Sequence, residues 1–75
     1  MNAARIERSP RLQRVDRLLD DGQWHSTMDI VQAARVCAVN SIVAELRYNG
    51  RLIDCERRGD VWWYRKQTQA QLALF

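Results

Sequence analysis

The sequence predicts an α+β fold in which three short helices come first and a β-hairpin follows. Three observations carry that prediction. Apolar residues recur at helical spacing in three stretches between residues 9 and 49, and two β-rich runs flank a Gly-containing turn between residues 52 and 66. The chain has 75 residues, enough for one modest core and no second folding unit. Hydrophobic residues make up 47% and charged residues 28%, the balance of a soluble globular domain rather than of a disordered or membrane-spanning chain.

Ser9-Pro10 reads as an N-cap followed by Pro at the first helical position, where its missing N–H has no partner to lose. Leu12, Val15 and Leu19 then share one face until Gly22 ends the helix, and Arg11, Arg14 and Arg17 point away from that face. Ser26 with Asp29 three residues on is a capping box with Asp in the usual Glu position, opening a short second helix that buries Ile30, Ala33 and Ala34 and ends near Arg35. Trp24, in the extended connection between Gly22 and that cap, is expected to be a core anchor where a small strand could also form.

After the turn Val36-Cys37-Ala38, the segment from Val39 to Asn49 puts Val39, Ile42, Val43 and Leu46 within one arc, with Gly50 just past its end. Two helices joined by a tight turn, the second with small and polar residues outward, have the sequence form of a helix-turn-helix. The outward set is Asn40, Ser41, Ala44, Arg47 and Tyr48, with Glu45 at its margin. In a major groove Asn can pair with adenine, Arg with guanine, and Ala or Ser can sit against a thymine methyl.

Leu52 to Arg57 and Val61 to Lys66 are the two strands of a hairpin around the turn Arg58-Gly59-Asp60. Directly after a recognition helix such a hairpin is a wing, and Arg57 and Arg58 at its tip are where a wing reaches a backbone or minor groove; a charged tip also serves simply as solvated surface. Trp62, Trp63 and Tyr64 alternate across the second strand, so at least one aromatic faces outward unless covered. They read as core and edge cover rather than as base-stacking groups. The elements together spell a winged helix-turn-helix over residues 9–66, preceded by a basic arm at 1–8 and followed by a tail at 67–75.

The net charge of +3 sits at the front. Residues 1–17 hold five arginines against Glu7 and Asp16, while the seven basic and seven acidic groups of residues 18–75 cancel. Arg5, Arg8, Arg11, Arg14 and Arg17 recur every third residue, a stripe that could neutralise phosphates or could be a solvated face. Cys37, Cys55 and the single His25 lack the spacing of a zinc site, and the two cysteines read as small buried hydrophobes, with a disulfide the alternative. No metal and no cofactor is expected. With no membrane-length apolar run and no secretory-type N-terminus, the expected location is the cytoplasm, away from any membrane.

The element order and the run Val43-Ala44-Glu45-Leu46-Arg47-Tyr48-Asn49-Gly50-Arg51-Leu52-Ile53 resemble the small winged helix-turn-helix proteins of phages and prophages. That family commonly ends its recognition helix with Arg-Ile-x-Glu-Leu-Arg-x-x-Gly; Glu45-Leu46-Arg47 and Gly50 match, and Ile42 stands where the family often has Arg. The resemblance covers about residues 11–66 in pattern and implies a module for double-stranded DNA. It leaves the target site open, because the departure falls in the helix that would read bases.

The C-terminal Gln71-Leu72-Ala73-Leu74-Phe75 follows the polar spacer Gln67-Thr68-Gln69-Ala70. It resembles the bacterial sliding-clamp-binding peptide Gln-Leu-(Ser or Asp)-Leu-Phe at four of five positions, with Ala73 in place of the polar residue. The resemblance implies that Gln71 hydrogen-bonds at a pocket rim while Leu72, Leu74 and Phe75 engage a hydrophobic groove on the clamp. The alternative is that Leu72, Leu74 and Phe75 pack back on the domain or form a dimer seam, so a homodimer stays open.

Three function classes follow. A DNA-binding transcriptional or replication accessory regulator, contacting DNA through Arg11, Arg14, Arg35, Asn40, Ser41, Ala44, Arg47, Tyr48, Arg57 and Arg58, comes first. A protein-interaction module that recruits or blocks the sliding clamp comes second, kept in view by Glu45 beside the reading face and by Asp54, Glu56 and Asp60 in the wing. An enzyme is the weakest, since His25 has no evident nucleophile or carboxylate partner and the glycines form no phosphate-cradling loop.

Overall fold

A computed structural model describes residues 5–67. Helix α1 spans Pro10–Leu18, strand β1 His25–Ser26, α2 Thr27–Ala34, α3 Val39–Tyr48, β2 Ile53–Arg58 and β3 Val61–Lys66. The strands form one antiparallel sheet in the order β1-β3-β2. Three helices followed by a hairpin that closes on a short strand before α2 make an α+β fold with winged-helix order.

The local chemistry explains the boundaries. The Ser9 hydroxyl accepts the Leu12 N–H with Pro10 at the first helical position, and α1 tightens into a 3-10 turn over Leu19–Asp21 before Gly22 stops it at φ 71°. At α2 the capping box is complete: Ser26 Oγ accepts the Asp29 N–H (3.1 Å) and Asp29 Oδ2 accepts the Ser26 N–H (3.2 Å). Because Ser26 also ends β1, whose register is His25 opposite Tyr64 and Ser26 opposite Trp63, one residue fixes both the helix start and the sheet edge. The connection from α2 to α3 contains two non-glycine residues in the left-handed region, Arg35 (φ 55°) and Ala38 (φ 50°).

The core lies between the helices and the inner face of the sheet. Leu12, Val15 and Leu19 from α1 and its 3-10 extension meet Ile30 of α2, Ile42, Val43 and Leu46 of α3, and Ile53 and Tyr64 of the sheet, all buried. Ala34 is buried and Ala33 is exposed, contrary to the expectation that both face inward. The buried arc of this short helix runs through Ile30, the half-buried Val31 and Ala34, and Ala33 is rotated off it.

The first strand of the hairpin is shifted by one residue from its sequence reading, and the second, Val61–Lys66, has the bounds expected. Arg58 pairs with Val61, so Arg58 is a strand residue and the loop is the two-residue Gly59-Asp60. Gly59 (φ 62°) comes first in that loop, the position at which a tight II′-type hairpin turn requires glycine. The cysteines also differ from expectation: Cys37 and Cys55 are free and exposed, one in the turn before α3 and the other on the wing. No helix among the described residues is long and apolar enough to cross a membrane.

Candidate nucleic-acid interface

The α3 face away from the core carries Asn40, Ser41, Ala44, Arg47 and Tyr48, and all five are exposed, Tyr48 to 77%. Their spacing keeps them on one side of a ten-residue helix whose opposite side is held by Val39, Ile42, Val43 and Leu46. Glu45, at the edge of this face, is engaged by α1: Arg11 Nη1 and Nη2 donate to its two carboxylate oxygens at 2.7 and 3.2 Å. The hydrogen bond to Glu45 raises the Arg11 pKa above its ordinary value. Arg11, expected as a phosphate contact, is paired with the acid at the edge of the exposed α3 face while its side chain stays 44% exposed.

The other predicted arginines divide by their partners. Arg14 Nε donates to the Ala34 carbonyl (2.7 Å), capping the C-terminal end of α2 from α1. Arg47 donates from Nε and Nη2 to the Ile53 carbonyl (3.1 and 2.6 Å), which ties α3 to the start of β2, and its positive charge helps hold the Asp54 carboxyl below its ordinary range. Arg35 caps α2 in the left-handed region and is exposed, with no side-chain partner among the described residues. Arg5, Arg8 and Arg17 are likewise exposed and unpaired.

Period-two alternation separates the tip pair. Arg57 lies opposite Trp62, on the sheet face that holds Ile53, Cys55 and Tyr64, whereas Arg58 belongs to the outer face with Trp63 and Arg65. On that outer face the Arg58 guanidinium carbon lies 5.0 Å from the Trp63 ring centroid and 5.3 Å from that of Trp24, and Arg65 lies 4.6 Å from Trp24. Trp24 is thus half-buried cover for the outside of the sheet rather than a core anchor, because the strand starts one residue later than it. Arg58 also pairs with Glu56, and Arg57 donates from Nε to the Gly59 carbonyl and pairs with Asp60 at 3.8 Å while staying 61% exposed.

Between α2, α3 and the inner face of the wing runs a cleft of about 570 Å³. Its floor is the buried Val39, Val43 and Tyr64, and its rim includes the exposed Asn40, Arg47, Cys55 and Trp62. Thr27 Oγ1 donates to the Trp62 carbonyl (3.2 Å), stitching α2 to β3 at the level of the rim. Trp62 is 45% exposed, and among the described residues no carboxylate lines the cleft although the chain has nine acidic residues. Sequence reading placed Trp62 as cover. The alternation of Trp62, Tyr64 and Cys55 onto one face was available in the sequence, but which face the helices would leave partly open was not.

The remaining charges tie the frame. Lys66 Nζ donates to the Asp16 carboxylate and carbonyl (both 2.9 Å) and to Asp20, and Arg51 Nε donates to Asp16 (3.0 Å), so the end of β3 and the loop after α3 are both anchored on α1. Burial pushes the Asp16 pKa up, and the hydrogen bonds and charges of Lys66 and Arg51 outweigh it, leaving the carboxyl below its ordinary range. Asp54 is held low chiefly by the Arg65 hydrogen bond. His25 has a carboxylate partner that the sequence did not suggest: its Nε2 lies 3.0 Å from both Asp21 oxygens, and Asp21 is lowered first by the Gln23 N–H and then by His25. Among the described residues no group of three His, Cys, Asp or Glu side chains is arranged to hold a metal ion. The sliding-clamp resemblance falls on Gln71, Leu72, Leu74 and Phe75, outside the described residues.

No family model, curated protein or solved structure matches the chain.

Proposed function

We propose that this protein is a non-enzymatic DNA-binding module of the winged helix-turn-helix class, acting as a transcriptional or replication accessory regulator. The observation that carries the reading is the exposed row on α3: Asn40, Ser41, Ala44, Arg47 and Tyr48 lie on a face whose marginal acid, Glu45, is neutralised by Arg11. Base-edge reading uses a protruding helix whose polar side chains reach the groove, and an unpaired carboxylate beside it would be repelled by the phosphates. Arg35 at the turn and Arg57 on the wing, the latter in an exposed pair with Asp60 that phosphate can displace, flank α3 with cations that suit backbone contacts. Arg14 and Arg58 act in this reading through the frame, and Arg11 through Glu45.

The test is a titration of duplexes of several sequences at a series of salt concentrations. Arg35→Gln should weaken binding to every duplex and reduce the salt slope by about 1. Asn40→Ala should cost about 1–3 kcal/mol on the preferred sequence and little elsewhere. Parent-like binding by both variants would remove α3 and its turn from the interface. A bacterial sliding clamp is proposed as a second partner on the four-of-five match of residues 71–75.

A further inference from the structure

The cleft between α3 and the wing has a composition that duplex reading alone does not use. Its walls offer a partly exposed indole at Trp62, the amide of Asn40 with no partner among the described residues, and the guanidinium of Arg47, over an apolar floor. An indole supplies a stacking surface for a flat ring, an amide supplies one donor and one acceptor for the edge of that ring, and a guanidinium supplies charge for a phosphate. The carboxylate-free lining, in a chain with nine acids, complements an anion. Arg57, opposite Trp62 on the same sheet face and 61% exposed, is a second cation next to the cleft, held by Asp60 at 3.8 Å in a fully solvated pair. An aliphatic peptide would leave the Asn40 amide without a use.

We propose that the cleft takes an unpaired nucleobase of the bound DNA, stacked on Trp62, with its edge on Asn40 and its phosphate near Arg47 and Arg57. This rests on the DNA-binding reading above and names the DNA it prefers: duplex interrupted by an extrahelical base. An already unpaired base costs less to withdraw from the stack than a paired one, so the preference follows from the energetics of extrusion together with the stacking gained.

The experiment compares a perfect duplex with the same duplex carrying one bulged 2-aminopurine, by fluorescence anisotropy for affinity and by 2-aminopurine emission for stacking. The parent should bind the bulged duplex at least about tenfold more tightly, with the emission quenched on binding. Trp62→Leu should lose most of that preference and of the quenching while holding its affinity for the perfect duplex, and Trp62→Phe should keep both. Equal affinity of the parent for the two duplexes overturns this inference and leaves duplex binding standing, whereas binding to neither overturns both. Identical behaviour of Trp62→Leu and Trp62→Phe also overturns it, since the ring face would then have no part. Thermal melts of both variants check the fold, and the parent's quenching and preference decide the question should Trp62→Leu fail to melt cooperatively.

Discussion

Arg11 on α1 and Glu45 on α3 form a two-point ion pair, at 2.7 and 3.2 Å, that removes a carboxylate's charge from the margin of the exposed α3 face. With side chains 44% and 23% exposed, the pair is worth only about 0.2–1 kcal/mol to stability. Its larger effect is electrostatic. Arg11→Ala should weaken DNA binding by exposing Glu45, and Arg11→Ala with Glu45→Gln should restore it. A double variant as weak as Arg11→Ala in the same anisotropy titration would mean that Arg11 touches phosphate directly.

The split of Arg57 and Arg58 between the two sheet faces gives them different roles. Arg58→Ala should lower stability by about 1 kcal/mol through loss of its stacking over Trp24 and Trp63. Arg57→Ala should leave urea unfolding unchanged and reduce DNA affinity at low salt. Unfolding curves that place the loss on Arg57 instead would reverse the assignment.

The turn before α3 holds two side chains in the left-handed region, which costs a residue with a Cβ about 1–2 kcal/mol relative to its preferred conformations. Ala38→Gly should therefore stabilise the domain by up to about 1 kcal/mol, the gain being reduced by the greater freedom of glycine in the unfolded chain. Arg35→Gly should stabilise similarly while weakening DNA binding, and urea midpoints together with titrations separate the two effects.

Asp16, Asp21 and Asp54 all have carboxyl pKa values below their ordinary ones in the folded protein. Each then contributes stability that is present above the unfolded carboxyl value near 4, and that is lost as pH falls through the lower folded value. The contribution of these three carboxyls should be flat above about pH 5 and decline below about pH 4. Asp16→Asn should cost about 1–3 kcal/mol at pH 7, because it takes an anionic partner from Lys66 and Arg51, and should flatten the acid limb of the profile. An unchanged acid limb in Asp16→Asn would assign the pH dependence to other groups.

The tail is tested separately. Leu74→Ala with Phe75→Ala should abolish binding to a bacterial clamp in a direct titration and change domain stability by less than about 0.5 kcal/mol. A clear drop in the urea midpoint would assign these residues to packing on the domain.

The elements themselves were legible because each rests on a local rule. Ser9-Pro10 and Gly22 bound α1, Ser26 with Asp29 opens α2, and the 39, 42, 43, 46 spacing marks the buried side of α3. The hairpin was legible from its β-rich runs, and the end of its first strand was missed by one residue because Arg58 satisfies turn and strand equally until Gly59 takes the first position of the loop. That shift alone moved Arg58 from the tip to the outer sheet face.

Sequence by itself determined the order of helices and strands, the side of α3 that is buried and the side that is exposed, since hydrogen-bond caps and hydrophobic periodicity act within a few residues. Tertiary structure alone decided the partners: Glu45 finds Arg11, Lys66 finds Asp16, Arg47 finds the Ile53 carbonyl, and Trp62 becomes the rim of a cleft. Those pairings join residues 6 to 50 positions apart, and the long charged side chains in them have several candidate partners each. Which one they meet depends on how the helices pack against the sheet, a distance that no local pattern encodes.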